Sequence, residues 1–364
     1  MKGVDLQLPG EEAMRLLAAM ITALLTASLA PSAQALAENP ATVVGDDQRP
    51  DAQTVEFTVH SPSLDGLFQW KKVRLLVPKD WSKDATRTWP TLWLLHGASG
   101  DHQSWTGGSH IKQLVADRGV IVVMPETNAC SSYSDWWNYG NGGAPAFETY
   151  LVDQLRPLLE QKYHASTDRA AVAGLSMGGL GAMKLAANHP GMFKSAASYS
   201  GAVSPLFQAT DGTLNGPDAV KASGLVCLGT DWKKIWGEPG YPFDTTNPQD
   251  VRQRAIWQRA SPVVQAEGLR GIPLYVSFGD GTSGDAGWQY PEPPNPARCT
   301  NPSNNPKGEA VEHLVYGMGH QLVDKLDSAH IPVTVCAHAG THAWLYWDRE
   351  LNASFPMLMS SIGA

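Results

Sequence analysis

The chain has 364 residues, of which 43% are hydrophobic and 17% charged, and its formal net charge is -8 at pH 7. This apolar content is enough to bury a sizeable core, which excludes a disordered or fibrous protein. The 27 Lys and Arg residues are scattered without a basic run. Because nucleic-acid binding requires a clustered positive surface, we expect no nucleic-acid partner.

The first 35 residues are typical of a secretory signal peptide. An apolar stretch from residue 16 to 30 is followed by Ala33-Gln34-Ala35, which matches an A-x-A cleavage site. About 20 apolar residues are needed to span a bilayer, so we expect no transmembrane anchor in the mature chain. The acidic residues before Met14 are unusual in such a leader. The start of translation is therefore either Met1 or Met14, and the sequence does not choose between them. The predicted location is secreted, either extracellular or in the cell envelope.

The cysteine content agrees with export. The four cysteines are even in number and far apart in the sequence: Cys130, Cys227, Cys299 and Cys336. Such spacing predicts up to two long-range disulfides and does not match a zinc site. Four cysteines allow three pairings, and the sequence does not choose among them. Four buried free thiols are the alternative.

Short apolar runs and helical patterns alternate along the chain. After a polar leader at 36–54, alternating residues at 55–59 and 73–77 predict two antiparallel strands joined by a turn at Asp65-Gly66. Buried central strands are predicted at 92–95, 120–123, 170–173, 274–278 and 333–335. Helices are predicted at 111–117, 147–161, 177–188 and 311–328. This order predicts an α/β fold with a mostly parallel sheet, antiparallel N-terminal strands, helices on both faces, and a crevice beyond the carboxyl ends of the strands.

Residues 55–364 are predicted to form a single domain with two stretches that break the alternation. Residues 207–260 contain three tryptophans, and residues 284–306 contain six prolines. We expect the first stretch to cap the crevice and the second to form a loop. Surface decoration without a role in binding is the alternative for both stretches.

The motif Gly174-Leu175-Ser176-Met177-Gly178 matches G-x-S-x-G between a predicted strand and a predicted helix. That context is typical of a nucleophile elbow, in which a serine occupies a strained turn and flanking glycines avoid collisions with the strand and the helix. The start of the helix also directs N–H groups toward charge that develops on a bound carbonyl oxygen. Ser176 is therefore the candidate nucleophile, and the Met177 N–H is a candidate oxyanion donor.

A serine hydroxyl becomes nucleophilic only when a base can take its proton. His342 is the candidate base, because it lies in a loop after the last predicted strand and follows Ser176 in the order typical of hydrolases with this elbow. His338 is the alternative. It lies closer to the strand itself, where a structural histidine is more usual.

The acid of the triad and the second oxyanion donor are less constrained by the pattern. Asp280 follows the strand predicted at 274–278, where a hydrolase of this kind carries its acid. Glu312 and Asp285 are the alternatives, and for Asp285 a solvated surface charge is favoured. The loop at 96–100 directly follows another predicted strand and offers the Ala98 N–H as the second donor. An ordinary glycine-containing turn is the alternative interpretation of that loop.

Six motifs occur in a fixed order along the chain: Val123-Met124-Pro125, Ser132-Tyr133-Ser134-Asp135-Trp136, the elbow, Trp236-Gly237, Gly279-Asp280-Gly281-Thr282, and Gly340-Thr341-His342-Ala343-Trp344-Leu345-Tyr346-Trp347. Together they resemble the antigen 85 mycolyltransferases within the wider esterase D family, over about residues 55 to 353. The resemblance implies an α/β-hydrolase fold, an acyl-serine intermediate, and no cofactor or metal. In that family the acid is a Glu on a helix before the final strand, so the resemblance favours Glu312 over Asp280.

One loop departs from the family pattern. The mycolyltransferases have Asp-Gly-Leu-Arg where this chain has His96-Gly97-Ala98-Ser99, without the charged side chains that help to hold trehalose. The His-Gly pair is more similar to general esterases of the same family. We therefore predict a secreted serine esterase or acyltransferase acting on acyl esters, including lipids or glycolipids of the cell envelope. The alternatives are a mycolyltransferase acting on trehalose or cell-wall sugars, and a non-catalytic cell-envelope adhesin.

Overall fold

The computed structural model describes residues 40–64, 68–209, 215–226, 231–238, 246–284, 288–300 and 309–364. The predicted signal peptide, the predicted turn at Asp65-Gly66, Cys227 and Asp285 lie outside the described residues.

A single mixed sheet organises the described part of the chain. Its strands are β1 (Thr42–Asp51), β2 (Thr54–His60), β3 (Trp70–Leu76), β4 (Trp89–Leu95), β5 (Ile121–Pro125), β6 (Ala165–Leu175), β7 (Ala196–Tyr199), β8 (Leu274–Gly279) and β9 (Thr334–His338). They lie in the order β1-β2-β3-β5-β4-β6-β7-β8-β9. Three neighbouring pairs are antiparallel: β1 with β2, β2 with β3, and β3 with β5. Every other neighbouring pair is parallel. The predicted fold class, an α/β-hydrolase fold with antiparallel N-terminal strands, is confirmed.

Helices cover both faces of the sheet. The α-helices are α1 (Ser104–Gly108), α2 (Ile111–Val115), α3 (Phe147–Thr149), α4 (Arg156–Tyr163), α5 (Met177–Asn188), α6 (Gly216–Val226), α7 (Lys233–Trp236), α8 (Pro248–Arg259), α9 (Ala310–Ser328) and α10 (Trp344–Ile362). A π-helical turn, Tyr150–Leu155, joins α3 to α4. Trp93 and Leu95 of β4 pack into one core cluster with α4, α5 and α9, while Leu92 and Leu94 pack into another with α2 and α10. Because both faces are buried, β4 is a continuous apolar run rather than an alternating one.

Several elements of the fold were absent from the sequence predictions, and β1, β7 and α10 show why. β1 forms within the segment interpreted as a polar leader, and as a mostly exposed edge strand rich in charged residues it lacks apolar alternation. β7 has only four residues and no β-branched side chain. α10 contains Pro356 in its interior, a residue that normally argues against a helix.

The state of the cysteines bears on the predicted export. Cys299 and Cys336 form a disulfide that ties the turn Pro296–Thr300 to β9, and Cys130 is also disulfide-bonded. The alternative of free thiols is therefore wrong for these three cysteines. In the part of the chain that the structure describes, no helix combines the length and the apolar character that crossing a membrane would require.

The stretch predicted to be a cap contributes helices α6, α7 and α8. Trp236, the last residue of α7, is buried against Trp257 of α8, with the ring centroids 5.2 Å apart in an edge-to-face arrangement. The Gln253 side chain also donates a hydrogen bond to the Trp236 carbonyl. These contacts fix Trp236 at one wall of the cavity described below.

Candidate active site

The turn between β6 and α5 holds Ser176 in a strained backbone conformation, with φ 54° and ψ -119°. The flanking glycines are sterically required. A Cβ atom on Gly174 would lie 2.1 Å from the Gly178 carbonyl oxygen, and one on Gly178 would lie 2.2 Å from the Leu95 carbonyl oxygen. Strand, turn and helix can approach this closely only because both positions lack a side chain.

Three side chains that are distant in the sequence meet at this turn. Ser176 Oγ lies 2.9 Å from His342 Nε2, and His342 Nδ1 lies 2.6 Å from Glu312 Oε2. Ser176 comes from the β6–α5 turn, His342 from the loop between β9 and α10, and Glu312 from the first turn of α9. Glu312 is fully buried, and 15% of the His342 side chain is exposed. The structure thus brings together the residues that the sequence analysis proposed as nucleophile, base and favoured acid.

Neighbouring groups orient the Glu312 carboxylate. Its Oε1 accepts hydrogen bonds from Ser200 Oγ at 2.7 Å and from the Gly279 N–H at 2.6 Å, which leaves Oε2 directed at His342. Glu309 caps α9 by accepting from the N–H groups of the first turn, and its Oε2 lies 3.3 Å from the His342 backbone nitrogen. Neither Ser200 nor Glu309 was predicted from the sequence to have a role. An acidic residue just before a helix is a recognisable capping signal, but nothing in the sequence marks Ser200.

The two alternative residues occupy structural positions. Asp280 is buried, and its Oδ1 accepts from the Thr282 N–H at 2.9 Å and from the Gly340 N–H at 3.4 Å, which holds the turn after β8 against the loop that carries His342. His338 is buried at the end of β9 and stacks on Tyr346. Burial lowers the pKa of His338, with the negative charge of nearby Glu350 acting in the opposite direction. The chain of hydrogen bonds that begins at Ser176 instead passes through His342 to Glu312.

The loop after β4 lies against the serine. A Cβ on Gly97 would lie 2.7 Å from the Leu175 side chain and 3.3 Å from Ser176 Cβ. His96 is buried, and its Nε2 accepts from the Thr127 N–H at 3.0 Å, which places the ring proton on Nδ1, 2.8 Å from the Gly97 carbonyl oxygen. Burial lowers the pKa of His96, in agreement with a neutral ring. Ala98 and Met177 both line the cavity that contains Ser176.

A cavity of about 550 Å³ opens beside Ser176 and His342. Its walls are mostly aliphatic and aromatic, and they include Leu180, Ala219, Val220, Trp236, Leu314, Met318, Trp344 and Trp347. Among the described residues that line it, His342 is the only histidine, and no Asp, Glu, Lys or Arg is present. The cavity therefore suits an uncharged, apolar group next to the serine.

An elbow serine, an imidazole and a carboxylate at the carboxyl ends of parallel strands define the serine-hydrolase class of α/β enzymes. The family model described as "Putative esterase" matches residues 69–358, and the chain belongs to this esterase family. It is an enzyme of the ester hydrolase and acyltransferase class. The resemblance to the antigen 85 proteins is confirmed by the diacylglycerol acyltransferase/mycolyltransferase Ag85B of Mycobacterium leprae, which is 29% identical over 285 residues, 76% of this chain and 77% of that protein.

Solved structures show the same fold at lower sequence identity. MPT51 (FbpC1) of Mycobacterium tuberculosis superimposes with a TM-score of 0.60 at 22% identity, covering 88% of this chain and 100% of that one. An S-formylglutathione hydrolase from Agrobacterium tumefaciens gives a TM-score of 0.59 at 16% identity, covering 88% of this chain and 99% of that one.

Proposed function

We propose that this protein is an exported serine esterase that cleaves esters of uncharged, apolar acyl groups through an acyl-serine intermediate on Ser176. The observation that carries the proposal is the continuous chain of hydrogen bonds from Ser176 Oγ through His342 to buried Glu312, at the mouth of an apolar cavity.

Acylation follows from the positions of these groups. His342 Nε2 takes the hydroxyl proton as Ser176 Oγ attacks the ester carbonyl, and Glu312 fixes the ring tautomer and stabilises the imidazolium that forms. The carbonyl oxygen becomes an oxyanion, which accepts hydrogen bonds from the Met177 and Ala98 N–H groups. The imidazolium then gives its proton to the leaving alkoxide, and the acyl group remains on the serine. Water, deprotonated by His342, releases the acid and restores the hydroxyl.

The cavity supports the choice of acyl group. A carboxylate or ammonium on the acyl chain would lose its hydration without a partner among the described lining residues, which carry no fixed charge. An aliphatic chain instead gains free energy for each buried methylene. We assign the wall formed by α6 and Trp236 to a cap over the acyl group, and we include lipids and glycolipids of the cell envelope among the substrates.

Acyl transfer to an alcohol or a sugar hydroxyl is the second candidate function. It is supported by the 29% identity to a protein named as an acyltransferase and mycolyltransferase. An alcohol would replace water in the second half of the reaction, with the same residues in the same roles. Comparing p-nitrophenyl ester hydrolysis with product formation in the presence of added trehalose separates the two candidates. If hydrolysis is equal with and without trehalose and no acylated trehalose forms, transfer to that acceptor is eliminated.

An extracellular or cell-envelope location completes the proposal. It rests on the signal-like N-terminal 35 residues and on the Cys299–Cys336 disulfide, because disulfides persist mainly in oxidising compartments. Detection of the mature chain outside the cytoplasm of the producing cell, with its N-terminus near residue 36, is the expected result.

A fluorophosphonate probe, which reacts with activated serines, tests the catalytic assignment. Wild-type protein should be labelled, and Ser176→Ala should lose labelling together with about 10⁶-fold in kcat for p-nitrophenyl esters. Ser195→Ala is the matched control, since Ser195 is a buried serine whose hydroxyl bonds to Ser361. Folded wild-type protein that takes up no probe would refute the proposal and support the adhesin alternative.

A further inference from the structure

One side chain contacts both halves of the proposed oxyanion hole. Tyr133 lies in the loop after β5, and its ring packs on α5 where a Cβ on Gly181 would lie 2.5 Å from Tyr133 Cδ2. Its phenol is fully buried and donates a hydrogen bond to the His96 carbonyl oxygen at 2.8 Å. The helix that begins with Met177 and the loop that carries Ala98 are therefore bridged by one residue.

A buried lysine fixes this bridge to the helix. Lys184 follows Gly181 by three residues on α5, and its Nζ donates to the Tyr133 carbonyl oxygen at 2.7 Å, to Ser134 Oγ at 2.8 Å and to Glu148 Oε2 at 2.7 Å. Only 1% of Lys184 is exposed, and its three ammonium protons are all used. A buried ammonium is costly unless it is paired, so this arrangement positions the loop at a definite place on the helix.

The partner of Lys184 remains ionised. Burial would raise the pKa of the Glu148 carboxyl, but Lys184, His189 and Arg259 together hold it below its ordinary value. His189 Nε2 lies 2.8 Å and Arg259 Nη2 3.1 Å from Glu148 Oε1. Glu148 therefore stays a carboxylate at neutral pH.

The loop that Lys184 holds is strained. Ser132 and Tyr133 have φ angles of 46° and 51°, in the left-handed region that residues other than glycine rarely adopt. Such a conformation persists only where surrounding contacts fix it. The bonds from Lys184 to the Tyr133 carbonyl and to Ser134 Oγ are contacts of that kind.

The effect on the oxyanion loop follows from peptide geometry. A trans peptide unit is planar, and its C=O and N–H point in opposite directions. The Gly97 carbonyl is held by His96 Nδ1 at 2.8 Å and by the Gly100 N–H at 3.1 Å, so the Ala98 N–H of the same peptide unit must point away from the His96 ring. The bond from Tyr133 fixes the preceding peptide unit, which orients His96 itself.

We propose that Tyr133, fixed on α5 by Lys184, is a positioning residue that sets the separation between the Met177 and Ala98 N–H groups. This inference rests on the proposed function, because it assigns a purpose to the bridge only if those groups stabilise an oxyanion. Loss of the bridge leaves the triad intact and displaces one donor. Small displacements of catalytic groups cost up to about 10²-fold in rate.

Tyr133→Phe tests the proposal, because it removes the phenolic hydroxyl and keeps the ring packed on Gly181. With a p-nitrophenyl ester, kcat should fall about 10- to 100-fold while KM stays within about twofold. The inhibition constant of an aryl trifluoromethyl ketone, which Ser176 converts into a bound oxyanion, should rise by the same factor as kcat/KM falls. Lys184→Met should give the same pattern and provides a second measurement if either variant fails to fold.

Tyr163→Phe is the matched control. Tyr163 is also buried, and its phenol donates a hydrogen bond to Asp47 Oδ1 at 2.8 Å. It should keep wild-type kcat and wild-type affinity for the ketone. A folded Tyr133→Phe protein with kcat within twofold of wild type, or with lower kcat but unchanged ketone affinity, would overturn the positioning role. A wild-type protein without esterase activity or probe labelling would refute the proposed function instead.

Discussion

The two sides of the cavity are constructed in different ways. On the catalytic side, backbone segments approach so closely that Gly174 and Gly178 admit no side chain, and the oxygens of Glu312 are bound by Ser200, Gly279 and His342. On the cap side, the wall consists of small apolar residues of α6 together with Trp236.

This difference suggests that one side of the cavity governs the chemical steps and the other governs which substrate is preferred. The catalytic side depends on directional hydrogen bonds and on steric exclusion, so single atoms should matter there. The cap side depends on apolar packing, which tolerates changes that preserve volume and polarity. We expect substitutions on the catalytic side to abolish turnover, and substitutions on the cap side to change which acyl group is preferred.

After the loss of Ser176 itself, the largest effect should come from removing the charge of the acid. Glu312→Gln keeps an oxygen for Ser200 and Gly279 but presents an amide to His342 Nδ1, which favours the wrong ring tautomer. In serine hydrolases, the equivalent carboxylate-to-amide change lowers kcat about 10⁴-fold, and we expect a loss of that order in p-nitrophenyl ester hydrolysis.

Asp280→Asn is the matched control for the acid. It retains the Oδ1 acceptor for Thr282 and Gly340, so kcat should stay within about tenfold of wild type. If Asp280→Asn instead lost activity to the extent expected of Glu312→Gln, and Glu312→Gln remained active, the assignment of the acid would be reversed.

The second prediction concerns the steric limit on the catalytic side. In Gly178→Ala the new methyl group would meet backbone atoms of Leu95 and His96, which cannot move as a flexible side chain would. We expect the free energy of unfolding, measured by urea titration, to fall by about 3 kcal/mol. Gly107→Ala, in α1, has no atom within 4 Å of the new Cβ and should raise it by about 0.5 kcal/mol. Equal stability of the two variants would show that the close approach is not required.

The sequence predicted the parts of the site that steric and chemical rules specify locally. The elbow was recognisable because strand, glycines and helix are contiguous in sequence, and helix α5 was predicted with the bounds that the structure shows. His342 was identifiable from its place after the last strand. The fold class followed from the alternation of apolar strands and helices, which buries β4 on both faces.

Residues that act through tertiary contacts left no comparable signal. The choice between Asp280 and Glu312 depends on how α9 packs beside β8, and only the family resemblance favoured Glu312. The roles of Ser200 and Lys184 are visible only in the folded protein. There, Ser200 Oγ donates to Glu312 and Lys184 Nζ donates to the Tyr133 carbonyl oxygen. A buried lysine on a helix is indistinguishable in sequence from an exposed one, because burial depends on elements more than 30 residues away.

The smallest expected effect tests the cap side. Ala219 lies on α6 and lines the cavity, so Ala219→Phe should occupy space that a long acyl chain would use. We expect kcat/KM for p-nitrophenyl laurate to fall about tenfold while the value for the acetate stays within about threefold, since a few methylenes excluded from an apolar pocket account for that difference. Lys221→Phe, on the exposed surface of the same helix, should change neither value. An equal decrease for both esters in Ala219→Phe would place the acyl chain elsewhere, because a wall that touches only the distal methylenes cannot affect the acetyl group.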